Sequence, residues 1–86
     1  MGEISRFHGI VIRMYYRDHA PPHFHAVKAE FRAAVDLNPL RIRSGDLTPR
    51  DRRLVLEWAS RHLEELAAAW DLVQRELPPN RIAPVK

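Results

Sequence analysis

PRDRRLVLEWASRHLEELAAAWDLVQREL, residues 49–77, decides what kind of fold this chain adopts. Leu54, Trp58, Leu63, Leu66, Trp70, Val73 and Leu77 recur at the spacing of one helical face, with neither Gly nor Pro among them. Thr48 ahead of Pro49 supplies a hydroxyl N-cap and a proline in the first turn, where its missing N–H costs nothing. Asp51 adds a negative charge at the positive end of the helix dipole. The pattern predicts one helix over about 49–77. At 1.5 Å per residue such a helix runs about 43 Å, whereas a six-residue strand spans only about 20 Å. It therefore overhangs any sheet of ordinary strands. Either it breaks near residues 59–62, or its second half buries Leu66, Trp70 and Val73 against another chain. Nothing in residues 59–70 is a helix breaker, so the continuous helix is the reading adopted. Leu66, Trp70 and Val73 then become partner-binding residues for a second copy or a small partner protein.

Upstream the period changes from 3.6 to two. In GIVIRMYYR (9–17), Ile10, Ile12, Met14 and Tyr16 alternate with Val11, Arg13, Tyr15 and Arg17, which predicts a strand over about 7–17. Pro21 and Pro22 end it, because neither offers a ladder donor. HFHAVK (23–28), EFRAAVDL (30–37) and the short LRIR (40–43) read as further strands before the turn signal at Ser44–Asp46. The tail 78–86 reads as extended, docking Ile82 and Val85. The expectation is a single α+β domain over residues 1–86. A small, mainly antiparallel sheet of three to four strands, within about 7–43, precedes one long C-terminal helix packed on one face.

Composition narrows the function classes. With 86 residues, 45% of them hydrophobic and 29% charged, the chain is an ordinary folding domain rather than a disordered tail. It has no cysteine, so neither a disulfide framework nor a Cys-based zinc site is available, and a reducing, cytoplasmic setting is expected. No stretch approaches the roughly 20 apolar residues that span a bilayer, so no membrane partner is expected. The net charge of +3 is spread over both halves and carried almost entirely by arginine. Nucleic-acid affinity must then come from local clustering.

RDHAPPHFHA (17–26) is the stretch richest in chemistry. His23 and His25, two apart on a strand, project from one face, and His19 returns toward them across the Pro-Pro turn. Beside arginines, imidazoles serve as acid or base in phosphodiester cleavage while guanidinium groups balance the developing charge. Strand parity places Arg13, Tyr15, Arg17, His23, His25, Arg32, Arg41 and Arg43 on the sheet face opposite the helix. Basic groups interleaved with an aromatic ring suit RNA phosphates and bases. The bland alternative is that an uncovered sheet face must be polar in any case, and that Asp18 and His19 merely bond the turn. A metal held by His19, His23, His25 and Asp18 is a third reading, and no metal or cofactor is assigned. In TPRDRR (48–53), three arginines crowd a helix N-terminus, which calls either for a bound anion or for neutralisation by Asp51 and its acidic neighbours.

The runs ISRFHGIVIRMYYRDHAPPHFHA (4–26), LVLEWASRHLEELAAAW (54–70) and RIAPVK (81–86) together resemble the small bacterial proteins grouped as domain of unknown function 4160. The matching motif positions are Arg13, Tyr15, Tyr16, Asp18, His19, Pro21, Pro22, His23, Phe24 and His25. His8 and Arg17 stand where Tyr and Asn are frequent. The resemblance implies a small cytoplasmic protein, often encoded beside another short protein in the manner of a toxin and its antitoxin. It carries over no catalytic residue.

The leading expectation is thus a component of a toxin–antitoxin-type module that binds, and in the stronger form cleaves, RNA. His19, His23, His25 and Arg13 are its catalytic candidates; Tyr15, Arg17, Arg32, Arg41 and Arg43 contact the nucleic acid. The alternatives are a non-catalytic interaction module or dimer using the overhanging helix, and a His-ligated metal-binding protein.

Overall fold

The N-terminal half turns back on itself through tight loops. A computed structural model describes residues 2–85. Its elements are β1 (Gly2–Phe7), β2 (Ile10–Met14), β3 (His23–Lys28), β4 (Phe31–Leu37), β5 (Leu40–Asp46), α1 (Pro49–Ser60) and α2 (Leu63–Gln74). His8 and Gly9 join β1 to β2, with φ of 50° and 79°; two successive positive φ values give the hairpin turn whose twist matches that of the strands. Two-residue connections also join β3 to β4 and β4 to β5, whereas β2 reaches β3 only through the long segment 15–22. Every neighbour is antiparallel and the strand order is β1-β2-β3-β4-β5.

This corrects the expected fold class. The sheet has five strands rather than three or four, and two helices follow it rather than one. The expected strand over 7–17 is a hairpin arm that starts at Ile10, and the residues before the His8–Gly9 turn form β1.

One sheet face carries the core. Ile10, Ile12, Met14, Phe24, Ala26, Ala33, Val35 and Leu37 pack against Val55, Trp58 and Ala59 of α1 and Leu66, Ala69 and Val73 of α2 in a single buried cluster. The Trp58 ring lies 5.2 Å from Phe7 and 6.0 Å from Phe24, and its Nε1 donates to the Ala83 carbonyl at 2.8 Å. That bond fixes the tail, which buries Ile82 and donates its N–H to Ile4 at 2.9 Å beside β1.

The helix breaks where the sequence has no breaker. Arg61 N–H and His62 N–H donate to Trp58 and Ala59, closing α1 with i→i−3 bonds, and α2 starts again from the His62 carbonyl. Burying Leu66 and Val73 is worth about 1.5–3 kcal/mol each, against about 0.5–1.5 kcal/mol for each helical hydrogen bond lost at the break. Burial wins. Leu66 and Val73 are fully enclosed and Trp70 is half-buried on the core, so the expected partner anchor is spent inside the chain.

Candidate functional site

The opposite sheet face is organised in rows. Cross-strand pairing sets Glu3, Arg13, His25, Ala34 and Ser44 side by side over five strands. The neighbouring rows bring Val11, Val27, Arg32 and Asp46 on one side and His23, Asp36 and Arg41 on the other. Ala34, Ser44 and Gly45 are small, so the sheet is hollow beside His25. Tyr15, His25, Arg32, Ala33, Ala34, Ser44 and Gly45 line this shallow depression of 280 Å³.

Asp18 gathers the imidazoles. It lies in the 15–22 segment, which is tied to the end of α2 by Arg17 N–H donating to Val73 O at 3.4 Å and by the Gln74 side chain donating to Asp18 O at 3.0 Å. Its Oδ1 accepts the His19 backbone N–H at 2.9 Å, which leaves Oδ2 to face both rings. His23 Nε2 and His25 Nε2 each stand 3.0 Å from that one oxygen. His23 Nδ1 donates to the Pro21 carbonyl at 2.7 Å. Because a carbonyl only accepts, the Nδ1 proton is fixed, and the position between Nε2 and the carboxylate must hold a second proton or a cation. Burial works to raise the Asp18 carboxyl. The His25 hydrogen bond, the His19 backbone bond and the electrostatic pull of both imidazoles outweigh it, holding the group below its ordinary value.

The rings are packed as well as bonded. His23 is 4% exposed, with its ring 5.1 Å from His25 and 5.2 Å from Trp70 of α2, which closes over it. His25 is 27% exposed and lies 4.7 Å from the Tyr15 ring at the rim of the depression. Among the described residues, Asp18, His23 and His25 form a group of three metal-capable side chains whose donor atoms lie within 4.8 Å of one another.

The profile of the family described as a domain of unknown function, DUF4160, matches residues 9–71. The chain belongs to the DUF4160 family. No curated protein and no solved structure is significantly similar to it. The DUF4160 match takes in Arg13, Tyr15, Asp18, His23, His25, Arg32 and Trp70, so the whole cluster and the depression lie inside it. β1 up to His8 and the tail lie outside.

Against the residues expected from sequence, this DUF4160 chain brings together some and separates others. Arg13, Tyr15, His25 and Arg32 share the open face. His23 is on the cluster but enclosed, so its ring is not presented to a strand lying on the open face. His19 contributes its backbone N–H to the cluster, and its ring is outside the three-residue group. Arg17 leaves the face at φ 56° and stands 3.8 Å from Glu76. Arg41 and Arg43 both bond the buried Asp36, at 3.4 Å and 2.7 Å. A bulge lets them do so: Ser44 pairs with Ala34 and Ile42 with Val35, which leaves Arg43 as the extra residue. Burial works to raise the Asp36 carboxyl, and the Arg43 and Arg41 bonds more than offset it, keeping the carboxyl low. At the start of α1, the buried Asp51 lies 3.2 Å from Lys28 Nζ and 3.9 Å from Arg50 Nη1, which places one acid of the TPRDRR turn between two cations. Sequence reasoning gave Asp18 a minor place and missed Asp36; the signal for Asp36 was a carboxylate on the same strand face as its arginine neighbours, whereas Asp18 lies in the 15–22 connection. No helix among the described residues is long and apolar enough to cross a membrane.

Proposed function

We propose that this DUF4160 protein is the RNA-binding component of a toxin–antitoxin-type module, and that the strand of RNA lies across the open sheet face at the His25 depression. The observation that carries the reading is the meeting of Tyr15, His25 and Arg32 around one hollow, with Arg13 directly opposite His25 in register. Guanidinium groups there neutralise phosphate, and the Tyr15 ring and His25 imidazole offer π-faces to an unstacked base. The module role is supported by the family resemblance rather than by the site. Proton transfer by His23 forms no part of the reading, since both of its ring nitrogens are engaged and its ring is enclosed.

Fluorescence anisotropy with a labelled single-stranded RNA tests this. Binding should weaken with salt by a log–log slope of about −0.7 for each phosphate neutralised, and Arg32→Ala should lower that slope by about 0.7. Tyr15→Ala should cost about 1–3 kcal/mol of binding. Binding that ignores salt and both substitutions, or no binding at low salt, contradicts the proposal.

A further inference from the structure

We propose that Asp18, His23 and His25 form a binding site for a divalent first-row transition metal ion. The ligands are Asp18 Oδ2 and the two Nε2 atoms, and zinc matches the donor set best. Two imidazoles and one carboxylate make the three-ligand set that protein zinc sites use when a further position stays open to water or a substrate oxygen. With metal–ligand bonds of about 2.0–2.2 Å, a tetrahedral ion holds its donors about 3.3 Å apart. Both observed carboxylate–imidazole separations are 3.0 Å, within a few tenths of an ångström of that spacing.

Three further features fit a metal ion at this cluster. His23 Nδ1 donates to a backbone carbonyl at 2.7 Å, the outer contact that fixes a metal-binding imidazole with its Nε2 lone pair facing inward. Asp18 Oδ1 is occupied by the His19 N–H, so the free carboxylate oxygen is the one aimed at both rings. Finally, His23 Nδ1 already donates to a carbonyl, so its Nε2 meets the Asp18 carboxylate only across a second ring proton or a cation, and a bound metal ion supplies that cation. Burial is graded to match. His23 is 4% exposed under Trp70, while Asp18 and His25 are 22% and 27% exposed. The open position therefore lies on the more exposed Asp18–His25 side, away from Trp70. The metal site does not rest on RNA binding, and its test contains no RNA.

Full-length protein stripped with a chelator is titrated with Zn²⁺, and separately with Co²⁺ while its visible absorption is followed. The expected result is one equivalent bound with Kd about 1 µM or tighter. Co²⁺ should give the intense visible bands of a low-coordinate site, Mg²⁺ should not compete, and Zn²⁺ in hundredfold excess over Kd should raise the Tm by roughly 15 °C. Asp18→Asn and His25→Ala should each weaken binding by at least tenfold, and His19→Ala should leave it unchanged. His25→Ala removes a partly exposed ring from a strand, and its far-UV circular dichroism checks that the fold persists. No binding tighter than about 100 µM, or tight binding that survives both substitutions, would mean a hydrogen-bonded prop only and overturns the proposal. Metal binding without RNA binding sinks only the RNA reading; the reverse sinks only this one.

Discussion

At the scale of single residues, charge placement sets both the site and the acid limit of the fold. Asp36 is buried between two guanidinium groups, and Glu3 accepts from Arg6 at 2.7 Å and from Arg81 at 3.1 Å. The Arg6 and Arg81 bonds pull the Glu3 carboxyl from 4.5 to about 2. Both carboxyls titrate lower in the folded chain than in the unfolded one, so their stabilisation is complete above the ordinary carboxylate range and is lost as pH falls through the folded values. Urea midpoints should therefore drop between pH 4.5 and about 2, and Glu3→Gln should flatten that drop. Asp36→Asn should flatten it too and should cost about 1–3 kcal/mol at neutral pH, since hydrogen bonds to a buried charge are lost. An unchanged acid profile in both variants would refute this account. What the sequence showed at this scale was the parity of His23 and His25; it hid Asp18, because a side chain returning across two prolines has no fixed period.

Helices and strands fail or succeed by different signals. The alternation of residues 10–14, 23–28 and 31–37 was legible, since one buried face imposes period two. β1 was missed because its bulge between Glu3 and Ser5 puts Ile4 and Ser5, adjacent in sequence, both in buried positions and breaks the rhythm. The end of α1 was missed because it carries no Gly or Pro. Its marker was positive: Glu64 and Glu65 form an acidic first turn, and Glu65 Oε1 lies 2.6 Å from His62 Nδ1 at the cap. Length alone had already raised the conflict, which the chain resolves by folding back. Leu66→Ala should accordingly lower the monomer's own unfolding free energy by about 2–5 kcal/mol in urea, independent of protein concentration. A loss confined to self-association, with unfolding unchanged, would restore the partner-anchor reading and contradict the fold.

For the molecule as a whole, the two helices on one sheet face leave the other face to polar chemistry, and that division was visible in the sequence as basic and imidazole side chains at alternate positions. The contour of the open face was not visible, because it depends on small residues meeting across strands and on Trp70 closing over His23. The central claim is that Asp18 binds two imidazoles into one unit whose orientation is fixed from behind by the Pro21 carbonyl. Long-range ¹H–¹⁵N spectroscopy of the histidine side chains in metal-free protein tests it directly. The account predicts a His23 Nδ1 proton that exchanges far more slowly than those of exposed His8, and Nε2 resonances of His23 and His25 that both shift in Asp18→Asn. A His23 ring with unprotonated Nδ1, or Nε2 signals indifferent to Asp18, would contradict it.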